Sequence, residues 1–274
     1  STSRGLGDVY KRQQLNIAII GAGATGVELA AELHHAANQF SKYGLNSIDP
    51  KDVKISLIEA APRVLPALPK RVSHDAEATL REIGVQVIKN CRVVEIDAHT
   101  VYCEDEIEIP ATLKVWSAGI KAPDFLQGIG GLETNRINQL VVNASLQSSL
   151  DEDIFAMGDC ACYIPAGAER PVPPRAQVAN QQAIFLAKAM ALRLEGKPLG
   201  SFEFKDKGSL VSLSDQSTVG NILGNINVDG LFARMMYISL YRFHQVALHG
   251  VFKTSLMIIK DLLSKGSSPQ LKLH

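Results

Sequence analysis

Three glycines, Gly21, Gly23 and Gly26, stand at GxGxxG spacing inside "NIAIIGAGATGVELAAEL". Each glycine has its own task in such a turn. Gly21 permits the tight turn, Gly23 lets the backbone approach a pyrophosphate, and Gly26 lets helix and strand pack closely. The N–H groups at the start of the following helix are free to meet phosphate oxygens. A plain strand-to-helix turn is the ordinary alternative. What separates the two is context, namely a strand before the glycines and a helix after them. "LNIAII" is short, apolar and rich in β-branched residues, as a strand buried on both faces should be. "VELAAELHHAAN" reads as the helix.

An acid at the end of the next strand decides which dinucleotide fits. "VKISLIEA" ends in Glu59, whose carboxylate can accept both ribose hydroxyls of NAD. It would repel the extra phosphate of NADP, so NADH is the expected cofactor. Glu59 lies further from Gly26 than the usual ~20 residues. The excess is "NQFSKYGLNSIDPKD", a polar insertion of the kind loops tolerate.

A second constellation lies in "DIFAMGDCACY". "IFAMG" reads as a short buried strand. Gly158 and Asp159 then fall at its carboxyl end, where open α/β sheets bind ligands. Asp159 can accept hydrogen bonds from the ribityl hydroxyls of a flavin, with Gly158 allowing close approach. A lone Gly-Asp is otherwise a turn or a helix cap. The long helix after it, "PPRAQVANQQAIFLAKAMALRLEG", starts near Pro173 and Pro174 and stops at Gly196. Its N-terminal dipole suits negative charge on a reduced ring.

These groups need elements to hold them. Residues 14–120 read as an NADH-binding Rossmann unit with a β insertion, "HDAEATLREIG" being its second helix and "RVVEIDAHTVYCEDEIEIP" a small meander. "ATLKVWSAGIKAP" is a strand running into a glycine loop. Residues 121–200 read as a second unit and 201–274 as a third. Residues 1–13, "STSRGLGDVYKRQ", are unlike the rest of the chain and read as foreign to the fold. The chain has 274 residues and is 46% hydrophobic, enough for a sizeable core. Lys+Arg and Asp+Glu are both 28, and no long basic run suggests nucleic acid. Cys91, Cys103, Cys160 and Cys162 lack paired CxxC spacing and a nearby His, so they read as reduced thiols rather than disulfides or a metal site.

The C-terminal stretch "DGLFARMMYISLYRFHQVALHGVFKTSLMIIKDLLSKG" is apolar but interrupted by Arg234, Arg242, Lys253 and Lys260. No run approaches the ~20 residues of a spanning helix. Two amphipathic helices broken near Gly250 fit better. Such helices either pack on the protein's own core or lie in a membrane interface.

In order, GxGxxG, EAxPRxLP, WSAGIKA, FAMGDCA and AQxAxQ resemble the type II NADH dehydrogenases, the single-chain NADH:quinone oxidoreductases, from about Asn16 to Lys265. The resemblance implies an α/β fold of two dinucleotide-binding, Rossmann-like domains binding FAD and NADH, with C-terminal amphipathic helices. It makes residues 121–200 the C-terminal part of an FAD-binding domain and 201–274 a C-terminal membrane-association domain. Only the second, NADH-binding glycine motif is present, so the chain reads as a C-terminal piece lacking the first FAD segment. The resemblance implies that Gly21, Gly23, Gly26 and Glu59 hold NADH. It puts Glu28 near the nicotinamide as a proton or positioning group. Ser117, Ala118 and Gly119 match the loop closing over nicotinamide or flavin. Gly158 and Asp159 match the flavin ligand. Ala176, Gln177, Ala179 and Gln181 match the AQxAxQ motif between flavin and quinone, with Gln177 and Gln181 on one helix face. The implied reaction carries hydride from NADH to flavin and two electrons to a membrane quinone, without proton pumping. The implied place is peripheral, on the cytoplasmic face of the inner membrane, and a homodimer is an implied assembly. Another flavin reductase of the superfamily, or a non-catalytic NADH-binding piece, are the alternatives.

Overall fold

The computed structural model describes residues 15–40, 49–213, 217–222, 226–228 and 230–264. The expected foreign segment, residues 1–13, lies outside them, as does part of the insertion before Glu59. The chain divides into two compact units, Ser1–Ala118 with Lys207–His274, and Gly119–Asp206.

The first unit is built on a parallel sheet. Its strands are β1 (Leu15–Ile20), β2 (Val53–Ile58), β3 (Gln86–Ile88) and β7 (Leu113–Trp116), in the order β3-β2-β1-β7. Helix α1 (Ala24–Ala37) crosses from β1 to β2, and α2 (Lys70–Glu82) from β2 to β3. Alternate side chains of β1 and β2 serve different faces, as the pleat requires. Ile17, Ile19, Ile55 and Leu57 join Val27, Ala30, Val72 and Leu80 of the helices in one core. Ala18, Ile20 and Ile58 face a three-stranded antiparallel meander, β4 (Val93–Ile96), β5 (Thr100–Cys103) and β6 (Glu108–Pro110).

The helices carry a further layer. A second antiparallel sheet, β10 (Gly208–Leu213), β11 (Ser217–Ile222) and β12 (Ile226–Val228), packs on α1 and α2. Val211, Leu213 and Val219 enter the same core as Val27 and Leu80. On β10 and β11 lies the C-terminal helix α4 (Gly230–Ser264), broken at Gly250, where φ is +78°. That break is where the sequence put it. Arg242 of the first arm meets Asp261 of the second at 2.7 Å, so the arms fold back on one another.

One expectation is corrected here. Cys91 and Cys103 are not free thiols but form a disulfide. Cys91 follows β3 and Cys103 ends β5. The meander folds back under the parallel sheet and brings their Cα atoms to 5.5 Å, within the span a disulfide bridges. Cys160 and Cys162 are free.

Helix α2 is pinned by a charged cluster. Burial pushes the Glu77 carboxyl up, but hydrogen bonds from Lys89 (2.9 Å) and Arg81 (3.0 Å) outweigh it and hold it below its ordinary value. A depressed carboxyl adds stability above its unfolded pKa and loses it as pH falls through the folded value. Glu77→Gln should therefore flatten the loss of stability below pH 4.5, the ordinary value. Urea unfolding across pH 3 to 7 checks this, and an unchanged acid limb contradicts it.

The second unit contains a two-stranded parallel sheet, β8 (Leu140–Val142) with β9 (Ala161–Tyr163), and the helix α3 (Ala176–Leu194). Its core gathers Leu126, Leu146, Ala156 and Tyr163 with Phe202, whose ring lies edge-on to Tyr163 and Phe185. The strand expected at "IFAMG" is absent. Phe155 makes a single bridge to Gln147, and the regular strand begins only after Cys160. Gly158, at φ +70°, turns the chain before a ladder can form, so the strand follows the Gly-Asp pair instead of preceding it.

Candidate functional site

The glycine loop sits where β1 meets α1. Gly21 adopts φ +105°, a conformation open mainly to glycine, and its N–H donates to the Ile58 carbonyl at 2.8 Å. A Cβ on Gly21 would come within 2.7 Å of the Ala118 backbone. One on Gly26 would collide with the Gly21 carbonyl oxygen and lie 2.8 Å from Ser117 Oγ. Gly23 caps α1 in an extended conformation with no side-chain cap, and a Cβ there would meet open space. The helix therefore begins with backbone N–H groups facing an uncrowded surface and no acid in its first turn. That is a cradle for an anion.

β7 closes the loop from the other side. Ser117 Oγ lies 3.0 Å from the Ile20 carbonyl oxygen and 2.9 Å from that of Gly21, donating to this pair. Trp116 Nε1 donates to the Ala118 carbonyl at 2.8 Å. Ser117 and Ala118 thus fix the loop's floor, and Gly119 opens the second unit.

Glu59 is one residue beyond β2. Its Oε2 accepts from Ala22 N and its Oε1 from Ala61 N, both at 2.8 Å. The insertion does not displace it, because Ile58 pairs in register with Ile20 and carries Glu59 to the glycine loop. Each carboxylate oxygen keeps a lone pair for a hydroxyl donor. Glu28, on the second turn of α1, is half-buried, and its Oε1 accepts from Ser212 N on β10 at 3.0 Å. It ties the nucleotide helix to the second sheet.

In the second unit Gly158, Asp159 and Cys160 form a single tight turn. The Asp159 carboxylate is exposed and has no hydrogen-bond partner among the described residues. The turn's backbone is held by two buried glutamines that the sequence motifs do not reveal. Gln182 Oε1 accepts from Gly158 N at 2.7 Å, and Gln139 Nε2 donates to the Asp159 carbonyl at 2.8 Å. A signal for Gln182 was present. Positions 178, 182, 185 and 189 form one inward stripe of α3, and Gln182 is its single polar member. Ala179 lies on the same side, its Cβ 3.6 Å from where a Gly158 side chain would start.

α3 begins at Ala176, after Arg175, and stops before Gly196 at φ +68°. Gln177 Nε2 donates to Asp206 Oδ1 at 3.1 Å. Gln181 pairs with the backbone of Lys205 in both directions, at 2.9 and 3.0 Å. The two amides of the AQxAxQ motif therefore grip residues 205–206. Among the described residues no cluster of His, Cys, Asp and Glu could hold a metal ion.

Residues 6–183 match the pyridine nucleotide-disulphide oxidoreductase family. The chain belongs to that family. It is 47% identical over 266 residues to a type II NADH:quinone oxidoreductase of Haemophilus influenzae, covering 95% of this chain and 60% of that protein. It is 34% identical to one from Staphylococcus aureus, over 77% of this chain and 52% of that protein. The chain thus spans between half and two thirds of the length of these curated relatives. In fold it resembles the NDH2 structure from Plasmodium falciparum solved with NADH, with a TM-score of 0.77 and 18% identity, over 93% of this chain and 66% of that one. The α/β fold with a parallel Rossmann-type sheet is that of the family.

Proposed function

We propose that this chain carries the NADH-binding part and a share of the FAD-binding part of an NADH:quinone oxidoreductase. The observation that carries the reading is the glycine loop, with Gly26 packed against Gly21, Gly23 open, and Glu59 bonded to Ala22 at 2.8 Å. The curated relatives from Haemophilus influenzae and Staphylococcus aureus support it. The α1 N–H groups hold the pyrophosphate, and Glu59 accepts the adenosine ribose hydroxyls. FAD, when bound, supplies the redox chemistry, taking hydride from NADH and passing two electrons to a quinone, which becomes a quinol with two protons. Asp159 accepts from polyhydroxyl oxygens of that flavin. Gln177 and Gln181 hold residues 205–206 beside the start of α3, where the quinone is proposed to approach. Glu28 holds α1 against β10 and so fixes the angle at which the helix meets the nucleotide. The folded C-terminal arms lie on the membrane surface, where a lipid-soluble quinone is reached.

The test is NADH oxidation by a soluble quinone, catalysed by the whole gene product, together with its flavin content. Charge-assisted hydrogen bonds are worth about 1.5–3 kcal/mol. Asp159→Ala should therefore weaken FAD binding by roughly ten- to a hundredfold. A flavin-free protein overturns the reading. Flavin with NADH oxidation but no quinone reduction turns it toward another reductase of the family.

A further inference from the structure

We infer that Gln139 and Gln182 are positioning residues that clamp the Gly158–Asp159 turn from opposite polarities and so set the pose of the flavin-binding carboxylate. The inference rests on the flavin reading of Asp159.

Both side chains are nearly inaccessible, Gln139 at 5% and Gln182 at 2% relative exposure. Burying an amide is costly unless its polar atoms are satisfied. Here each amide bonds to the same two-residue turn, though the residues come from different elements. Gln139 directly precedes β8, and Gln182 lies on α3. Their roles differ. Gly158 offers an N–H, so Gln182 must serve as acceptor. Asp159 offers a carbonyl, so Gln139 must serve as donor. Gln139 is itself oriented, because its Oε1 accepts from Asn135 Nδ2 at 2.8 Å and Asn135 Oδ1 accepts from Gln139 N at 3.0 Å. The peptide group before Gly158 and the one after Asp159 are thereby fixed, so the two-residue turn is held at both ends while the carboxylate stays exposed. A clamp of this kind prepays the ordering of a ligand-binding turn.

The experiment measures FAD affinity and NADH affinity by fluorescence titration of the whole gene product. Four variants are compared, namely Gln182→Met, Gln182→Glu, Gln139→Met and Gln139→Glu. Methionine keeps bulk and removes the hydrogen bond. Glutamate keeps an acceptor but cannot donate when ionised. We expect both methionine variants to weaken FAD by about tenfold, the scale of one buried hydrogen bond. Gln182→Glu, which keeps the acceptor, should lose less than Gln182→Met, whereas Gln139→Glu should fall at least as far as Gln139→Met. NADH affinity should not move. In an Asp159→Ala background the Gln182→Met effect should shrink, because the clamp acts through that carboxylate.

Equal behaviour of the two glutamates overturns the clamp in favour of simple packing. So does unchanged FAD affinity in all four variants, or a matching loss of NADH affinity. If a methionine variant does not fold, the contrast between the glutamate variants still decides. A wild-type protein without FAD removes the flavin reading itself, and the clamp with it.

Discussion

Gly26→Val should abolish measurable NADH binding and lower stability, whereas Gly23→Ala should weaken binding and leave stability nearly unchanged. The contrast arises from where each added carbon would go. At Gly26 a Cβ would strike the Gly21 carbonyl oxygen, and Ser117 Oγ stands 2.8 Å away on the next side. Both obstacles are built in. The Gly21 carbonyl is held by Ser117, and the Gly21 N–H is bonded to β2. The added side chain can be relieved only by moving α1 off β1. Overpacking of this kind costs about 1–3 kcal/mol of stability. The same displacement carries the α1 N–H groups out of line with the pyrophosphate. At Gly23 an added Cβ meets nothing within 4 Å, and its extended backbone suits any residue. The methyl group then occupies the space a phosphate must enter. NADH titration should show a loss above about a hundredfold for Gly26→Val and roughly tenfold for Gly23→Ala, where 1.4 kcal/mol is tenfold. Thermal unfolding should separate the two. A Gly26→Val protein that binds NADH within threefold of wild type sinks the assignment of this loop.

The glycine loop was legible because its constraints are local. Gly21, Gly23 and Gly26 lie within six consecutive residues, and the strand and helix that give them meaning are their immediate neighbours. Glu59 was legible for a related reason, since parallel pairing of β1 with β2 fixes its position whatever the insertion does. The break at Gly250 was visible as a glycine between two apolar runs. What escaped depends on contacts distant in sequence. Glu28 bonds to Ser212, 184 positions away, and no periodicity announces such a pair. The packing of β10 and β11 on α1 and α2 is of the same kind. Cys91 and Cys103 carry no short motif that marks them as partners. The bridge comes from a meander that folds two ordinary positions to 5.5 Å. The glutamine clamp hid behind the AQxAxQ motif. That motif points to Gln177 and Gln181, while the buried amide is the next residue along.

Phe252→Glu combined with Leu256→Glu should move the protein from the membrane pellet to the supernatant. No helix among the described residues is long and apolar enough to cross a membrane. On the proposed membrane reading, binding comes from surface area, and the second arm of α4 offers it. Thr254 and Ala233 are buried against the protein, one on each arm. The outward positions of the second arm, Val251, Phe252, Leu256, Ile259 and Leu263, are apolar and at least 52% exposed. Lys253 and Lys260 lie exposed on the same arm, suited to anionic headgroups. An arm that only covered its own core would turn its apolar side inward, yet here the outward face is the apolar one. Burying one large apolar side chain is worth about 1.5–3 kcal/mol. Removing two therefore costs about 3–6 kcal/mol of interfacial binding, a partition change of more than a hundredfold. The inserted charges, repelled by anionic lipid, add to it. Both positions are exposed, so folding and NADH affinity should survive, and Arg242 still meets Asp261 to hold the arms together. Sedimentation with vesicles of anionic and of neutral lipid measures the change. Retention of the double variant on both vesicle types would show that this face does not carry membrane binding. Loss only from anionic vesicles would trace the effect to the inserted charges and not to the apolar area removed.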